Sequence, residues 1–184
     1  MHYKLYFLLI GCTLKGRHTE QHDVYFGIGK QPADLVPAIK SFWPEAEKLH
    51  VDCWREVTNV NGFQIKVIPK TGNPDTGTNQ LYFMNLGGYR KGAFEEFHFR
   101  ELVVAPNQEE AVRLAKKTGF YKDHGFKGAV AHIDDRYGVD IDEIHPVSEI
   151  LSPADKANYS VIITEEIAAT PDEIHLGYTP ISKL

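Results

Sequence analysis

Two pairs of ionisable residues, each with a spacing of two, lie in the first third of the chain. Glu20 and His22 form one pair, and His50 and Asp52 form the other. Residues two apart on a strand share a face of the sheet, so neighbouring strands would bring two imidazoles and two carboxylates together. This donor set suits Zn²⁺, Mn²⁺ or Fe²⁺. A divalent metal is therefore a candidate cofactor.

The first pair also allows two other interpretations. A carboxylate beside an imidazole can orient it as a general base, so Glu20 and His22 are candidates for acid–base catalysis. His22 also alternates with Val24 and Phe26, which fits a half-buried histidine held by a neighbouring carboxylate. No motif ties a serine or cysteine to the pair. The sequence therefore leaves open whether the protein is an enzyme.

A loop containing glycine and lysine is a second candidate site. Gly11, Lys15 and Gly16 follow the first apolar run. Backbone N–H groups in such loops can bind phosphate or carboxylate. In the plainer interpretation, the glycines provide positive φ angles in a strand connection and the lysine is a solvated charge. The loop lacks the glycine spacing of a Walker motif.

Both candidate sites occur twice, because the pattern G-x-x-x-K-G-x-x-x-E-x-H recurs at an offset of 76 residues. After six additional residues, HID at 132–134 matches HVD at 50–52. The second anion loop then comprises Gly87, Lys91 and Gly92, and the second metal or acid–base set comprises Glu96, His98, His132 and Asp134. Matches of this kind, in the same order, indicate an internal duplication.

The duplication also bears on the N-terminal stretch KLYFLLIGC, which resembles the end of a lipoprotein signal with Cys12 as the lipidated residue. Its LYF triplet recurs at 81–83, in the middle of the chain. A signal is needed once, at the N-terminus, and its apolar run is usually longer. The stretch is therefore predicted to be a strand.

Each copy is predicted to be a β-β-α-β-β unit. The first copy spans 1–68, a polar linker spans 69–79, the second copy spans 80–147, and a C-terminal extension spans 148–184. Pro32 and Asn107 mark the helix starts. Pro37 should shorten or kink the first helix, whose buried face should contain Leu35, Ile39 and Phe42. Asn61-Gly62 favours a type I′ hairpin turn between Val51–Val60 and Phe63–Ile68.

The strand and helix order predicts an α+β fold. The duplicated units would form antiparallel or mixed sheets with the helices packed on one side. The shorter second hairpin is expected at 129–134 and 139–145. In the extension, Tyr159–Thr164 is the stronger strand candidate and Ile174–Ile181 the weaker one. The two copies are expected to pack as one globular protein.

Composition narrows the classes of function. The chain has 184 residues, of which 42% are apolar and 24% charged, with a formal net charge of −5. This charge argues against a nucleic-acid binder, and no apolar run reaches the length of a membrane span. Two cysteines outside any CxxC pair fit a reducing cytoplasm. Small molecules or anions are the expected partners, and the sequence leaves open whether the chain forms a homo-oligomer.

Three of these segments resemble a bacterial family named domain of unknown function 1543: the LYF strand, Lys15–Asp23 and HVDCW at 50–54. The family has one-copy and two-copy forms, and the resemblance covers roughly 3–68 and 79–147 but not the extension. In the second copy, Phe99 replaces Asp23 and Arg136 replaces Trp54. The resemblance implies an α+β fold and a bacterial source, but no reaction.

The leading hypothesis is a protein that binds a small anionic ligand or a metal ion through the Gly-Lys loops and the Glu/His/His/Asp sets. One alternative is a structural or protein-interaction module in which Glu20 and His22 only attach the loop to the sheet. Another is an enzyme that uses the histidines in acid–base chemistry.

Overall fold

The computed structural model describes residues 2–72, 77–89, 92–117, 139–166 and 170–184. Their strands form three antiparallel sheets accompanied by short helices, which confirms the predicted α+β class. The chain divides into two compact units. Unit 1 contains Met1–Gly77 and Leu151–Leu184, and unit 2 contains Thr78–Ile150. Most of the C-terminal extension therefore belongs to the same unit as the first predicted copy.

The elements follow one another in this order: β1 (Lys4–Thr13), β2 (Gln21–Gly29), a 3₁₀ turn (Pro32–Leu35), α1 (Val36–Phe42), β3 (Glu47–Glu56), β4 (Asn59–Val60), β5 (Phe63–Pro69), β6 (Gln80–Tyr89), β7 (Glu96–Ala105), α2 (Gln108–Ala115), β8 (Val139–Pro146), α3 (Val147–Ile150), α4 (Pro153–Asn158), β9 (Tyr159–Glu165), β10 (His175–Pro180) and a second 3₁₀ turn (Ile181–Lys183).

The main sheet of unit 1 has the strand order β10-β3-β1-β2, with every neighbouring pair antiparallel. Side chains alternate between the two faces of a strand. Tyr6, Leu8, Ile10 and Cys12 of β1 therefore lie on one face, where they form a buried core with residues of the first helical segment such as Ile39. This arrangement leaves Gly11, in the same strand, on the opposite face.

The first helix begins as the 3₁₀ turn and becomes α-helical at Val36. Pro37 lies in the first turn of α1, where a proline requires no hydrogen-bonded N–H, so it is accommodated rather than breaking the segment. Leu35 and Ile39 are buried as expected. Phe42 is not, since its side chain is 49% exposed at the helix end, where its ring meets that of Tyr25 edge-on.

The hairpin turn at Asn61 and Gly62 has positive φ at both residues, +38° and +86°, as a type I′ turn requires. It joins β4 to β5. The predicted long strand Val51–Val60 is divided, because the chain leaves β3 at Glu56 and pairs again only from Asn59. Consequently β3 and β5 lie in different sheets.

Both strand candidates in the C-terminal extension form strands of unit 1. β9 pairs with β5, and β10 pairs with β3 at the edge of the main sheet. Asp172, between these strands, accepts hydrogen bonds from the backbone N–H groups of Thr58 and Asn59 at 3.1 and 3.3 Å and from the Thr58 hydroxyl. The Asp172 carboxylate thus accepts hydrogen bonds from the backbone N–H groups at the break between β3 and β4, where the predicted long strand is interrupted.

Unit 2 contains a sheet with the order β7-β6-β8. Helix α2 begins at the predicted N-cap, where the Asn107 side chain accepts a hydrogen bond from the Glu110 N–H at 2.9 Å. The predicted strand at 139–145 corresponds to β8. The predicted strand at 129–134 lies outside the described residues.

No helix formed by the described residues combines the length and hydropathy needed to cross a membrane.

Candidate metal centre

Three adjacent strands position the candidate residues of unit 1. Gly11 in the central strand β1 lies opposite His22 of β2 on one side and opposite His50 of β3 on the other. Directly paired residues in an antiparallel sheet project from the same face. Because Gly11 has no side chain, the two imidazoles lean towards each other above it, with ring centroids 6.4 Å apart.

A β-bulge directs the second carboxylate to this face. Leu9 pairs with Cys53 and Ile10 with Val51, so Asp52 is the extra residue in β3. A bulge of this kind re-aims a side chain and is common beside functional sites. The extra residue therefore lets Asp52 project beside His50 while Val51 stays in the core.

The four side chains predicted to converge do so. The His22 Nε2 atom lies 3.1 Å from Asp52 Oδ2 and 3.6 Å from Glu20 Oε2. The His50 Nε2 atom lies 3.3 Å from Glu20 Oε1 and 3.4 Å from Asp52 Oδ1. Each imidazole therefore has its Nε2 atom against both carboxylates.

His50 is the most buried member of the set, with a side chain only 2% exposed. Its Nδ1 atom lies 3.2 Å from the carbonyl oxygen of Lys48. A carbonyl oxygen only accepts hydrogen bonds, so Nδ1 carries the proton and Nε2 of a neutral ring carries the lone pair. Among the described residues, this buried Nε2 atom has no hydrogen-bond partner. Its lone pair therefore faces the oxygens of two carboxylates without a donor between them.

The backbone at Lys48 is arranged for this contact. Its φ angle is +53°, in the left-handed region that non-glycine residues rarely adopt. Such strained residues are concentrated at functional sites. In this conformation the Lys48 carbonyl oxygen accepts the Nδ1 proton of His50, which orients the imidazole as the backbone carbonyls behind metal-bound histidines do.

The geometry of the four side chains is compatible with a divalent cation. Glu20, His22 and His50 each offer one ligand atom, and these three atoms lie within 4.8 Å of one another. Four donors placed tetrahedrally at Zn²⁺ bond lengths are separated by about 3.3–3.6 Å. The four nitrogen–oxygen distances given above run from 3.1 to 3.6 Å. With neutral imidazoles the set has two negative charges, which a divalent cation neutralises.

Unit 2 repeats the backbone arrangement. Gly87 of β6 lies opposite His98 of β7, and a bulge between Asn85 and Leu86 corresponds to the bulge between Leu9 and Ile10 at the same offset of 76 residues. The extra residue at this second bulge is Asp142. Asp142 therefore occupies the position in the sheet that corresponds to Asp52. The match between HVD and HID predicts that Asp134 corresponds to Asp52 instead.

The residue opposite Gly87 on β8 is Asp140, at the register position of His50. His132 and Asp134 themselves lie outside the described residues. The D-I-D spacing at 140–142 could have indicated Asp142 from the sequence, but the identical residues of HID gave a better match. Matching the two sequence copies does not reveal which strand pairs with β6. In the structure that strand is β8, which contains Asp140 and Asp142.

The side chains of unit 2 form a different network. The His98 Nδ1 atom lies 3.1 Å from Asp142 Oδ2, and the His98 Nε2 atom lies 4.0 Å from Glu96. Asn85, which corresponds to Leu9, inserts its amide among these groups. Its Nδ2 atom lies 2.7 Å from Glu143 Oε2, 3.3 Å from His98 Nδ1 and 3.5 Å from Asp142 Oδ2. In unit 2 an uncharged amide thus donates hydrogen bonds among these groups, whereas the four side chains of the unit 1 set include no amide.

The predicted anion loops are not formed as expected. Gly11 and Gly87 lie within strands β1 and β6, and each faces a side chain of its candidate site instead of a loop. The loops begin after them. Gly16 and Gly92 have φ angles of +80° and +85°, which supports the plainer interpretation that these glycines permit a turn. Lys15 is exposed, and Lys91 lies outside the described residues.

Comparison with known proteins supports the fold and the family resemblance. No curated protein matches the chain. A solved structure, protein Il1583 from Idiomarina loihiensis, is similar over 97% of both chains with a TM-score of 0.62 and 21% sequence identity, which shows a shared fold. Residues 17–67 match the model of the family described as Domain of Unknown Function (DUF1543), and this segment contains Glu20, His22, His50 and Asp52.

Proposed function

We propose that unit 1 binds one divalent transition metal ion through Glu20, His22 and His50, with Asp52 as the fourth donor. One observation carries the proposal. The buried Nε2 atom of His50, whose Nδ1 proton is donated to Lys48, faces two carboxylates and has no hydrogen-bond partner among the described residues. A bound cation satisfies this nitrogen and both carboxylates at once.

The competing explanation is a structural ion-pair cluster in which one histidine is protonated. A proton on His50 Nε2 would place a cation at a side chain that is 2% exposed, and burying a charge is costly without well-formed hydrogen bonds. The contacts of this nitrogen with Glu20 and Asp52 do not have hydrogen-bond geometry. Metal coordination accounts for the same contacts without a buried proton.

The donor types indicate which metals to test. Imidazole nitrogen suits zinc, iron, nickel and copper, while carboxylate oxygen suits manganese and harder cations. A set with equal numbers of both is compatible with Zn²⁺, Mn²⁺ and Fe²⁺. The side chains of Glu20, His22 and Asp52 are 42%, 35% and 28% exposed, so the metal would be reachable from solvent.

We further infer that the chain is a two-copy form of the DUF1543 family. The register of β1 with β2 is identical to that of β6 with β7 at an offset of 76 residues. The matching bulges at Asp52 and Asp142 and the matching turns at Gly16 and Gly92 also support this inference. The second copy has an aspartate at the position of His50 and has Asn85 within its network. We therefore expect one metal ion per chain, bound in unit 1.

The experiment is metal analysis of the full chain purified without a histidine tag. Elemental analysis, followed by titration of the metal-free protein with Zn²⁺ or Mn²⁺, should give about one ion per chain, and saturation should raise the melting temperature. Glu20→Gln removes an exposed ligand with little effect on folding and should abolish stoichiometric binding. His98→Ala, the matched control in unit 2, should leave it unchanged. The proposal is wrong if no metal binds or if only His98→Ala reduces binding.

A further inference from the structure

A second feature of unit 1 lies beside the candidate metal centre. It is a cavity of 580 Å³ between the end of α1, the start of β3 and the C-terminal segment. Its lining consists of Lys40, Trp43, Pro44, Ala46, Lys48, Leu49, Tyr178, Pro180, Ile181 and Ser182. None of the metal-centre residues belongs to this lining.

The inner part of the cavity is apolar. Leu49 and Ile181 are 7% and 9% exposed and belong to the core cluster. The half-buried indole of Trp43 packs against the same cluster. These surfaces suit the flat apolar body of a small molecule, since ligand cavities are mostly apolar with a few well-placed polar groups.

The rim of the cavity is positively charged. Lys40 and Lys48 both line it, and their side chains are exposed. No ion pair formed by the described residues involves either lysine, and no Asp or Glu is among the lining residues. The chain as a whole has a formal net charge of −5, so two lysines at a cavity whose lining contains no Asp or Glu are a local excess of positive charge that favours an anion.

The cavity shares one wall with the metal centre. The Tyr178 ring lines the cavity and also stacks on the His50 imidazole, with centroids 4.3 Å apart and an interplanar angle of 29°. Lys48 is a second shared residue, because its carbonyl oxygen accepts the Nδ1 proton of His50. A molecule in the cavity would therefore contact two residues that support the most buried member of the metal set.

We propose that this cavity binds a small organic anion, with its carboxylate or phosphate group at Lys40 and Lys48 and a flat apolar or aromatic body against Trp43, Leu49 and Ile181. Charge complementarity and the apolar floor argue for this class of ligand over an uncharged molecule. The inference does not rest on metal binding, because neither lysine side chain belongs to the metal set.

The test measures the binding of 2-naphthoate to the full chain by calorimetry, in buffer containing a chelator, so that failure of the metal proposal does not affect the result. The naphthyl group represents the flat body and the carboxylate represents the anion. We expect saturable binding at one site per chain. Lys40→Gln and Lys48→Gln should each weaken binding by about fivefold or more. Lys66→Gln, at an exposed lysine of β5 outside the lining, is the matched control.

Three results would overturn the proposal. The first is the absence of 2-naphthoate binding at millimolar concentrations. The second is equal binding of the uncharged analogue 2-naphthalenemethanol, which would show that the lysines contribute nothing. The third is the same loss of affinity in Lys66→Gln as in the two cavity variants, which would indicate general attraction to a charged surface.

Discussion

The backbone of Gly11 lies directly against the imidazole of His50. A Cβ atom added to Gly11 would stand 2.5 Å from His50 Nε2 and 3.0 Å from His22 Cδ2. Both distances are shorter than van der Waals contact. The absence of a side chain at position 11 is thus what allows two histidines, each on a strand next to β1, to approach a common point.

Gly11→Ala should therefore weaken metal binding without removing any ligand. The added methyl group would displace the buried His50 ring, so we expect at least a tenfold loss of Zn²⁺ or Mn²⁺ affinity and a loss of stability of about 1–3 kcal/mol from the steric conflict. Metal titration and urea denaturation of the full chain measure the two effects.

Gly87→Ala is the matched control for this substitution. A Cβ atom there would stand 2.6 Å from Asp142 Oδ2, a comparable conflict in unit 2. This variant should lose stability but keep the wild-type metal affinity and stoichiometry. Equal losses of affinity in the two variants would contradict the assignment of the metal to unit 1.

Replacing the Asn85 amide by a carboxylate should destabilise unit 2 at neutral pH. The Asn85 Nδ2 atom lies within hydrogen-bond distance of Glu143, His98 and Asp142. Asn85→Asp keeps the shape of the side chain but places another negative charge among carboxylates. We expect a loss of about 1–2 kcal/mol in urea denaturation at pH 7.

The pH dependence provides the internal control for this variant. Acid neutralises the carboxylates, so the difference in stability between Asn85→Asp and the wild type should shrink as the pH falls from 7 to 4. A difference that is constant over this range would show that repulsion between carboxylates is not the cause.

Tyr25→Phe should stabilise the protein. Tyr25 is 5% exposed, and within the described part of the chain its hydroxyl group has no hydrogen-bond partner. A buried hydroxyl without a partner costs about 1–3 kcal/mol, so its removal should raise the free energy of unfolding by about 1 kcal/mol. Tyr82→Phe, at a similarly buried ring in unit 2, tests whether any buried tyrosine behaves in this way.

The gain from Tyr25→Phe should increase in alkali. Burial raises the pKa of Tyr25 to about 12, while the unfolded chain ionises near its ordinary value of about 10. Between these values the unfolded state releases a proton that the folded state keeps, so the stability of the wild type falls as the pH rises. The phenylalanine variant lacks this loss. Denaturation at pH 8, 10 and 11 should show a widening difference, and a constant difference would contradict the burial of an ionisable hydroxyl.

Asp172→Ala should destabilise unit 1 through the break between β3 and β4. The carboxylate accepts two backbone N–H groups, at Thr58 and Asn59, and the Thr58 hydroxyl. Hydrogen bonds to charged groups contribute about 1.5–3 kcal/mol. The partial exposure of Asp172 reduces the contribution of these hydrogen bonds, so we expect the free energy of unfolding in urea denaturation to fall by about 1–2 kcal/mol. The exposed Glu173 is the matched control, and a similar loss in Glu173→Ala would contradict the capping role.

The convergence of the four candidate side chains was predictable in part because it depends on local spacing. Glu20 and His22, and likewise His50 and Asp52, are two residues apart, a spacing that indicates a shared face on a strand. The structure adds that Glu20 lies just before β2 and that Asp52 is the extra residue of a bulge in β3. The hairpin at Asn61-Gly62 and the N-cap at Asn107 were predictable for the same reason, because turn and capping preferences depend on neighbours in the chain. The prediction that Phe42 is buried was wrong, because helical periodicity does not show where the sheet beneath a helix ends.

What the sequence by itself determined is the α+β class and the residue types of the candidate Glu/His/His/Asp set, since alternation and turn chemistry act over a few residues. Only the tertiary structure decided that β1 separates β2 from β3, that a bulge turns Asp52 towards the histidines, and that Asp142 corresponds to it in unit 2. It also placed Tyr178 on His50 and formed the cavity between Lys40 and Lys48. These relationships join residues that are distant in the chain, and pairing between distant strands depends on the packing of the whole sheet rather than on any local preference.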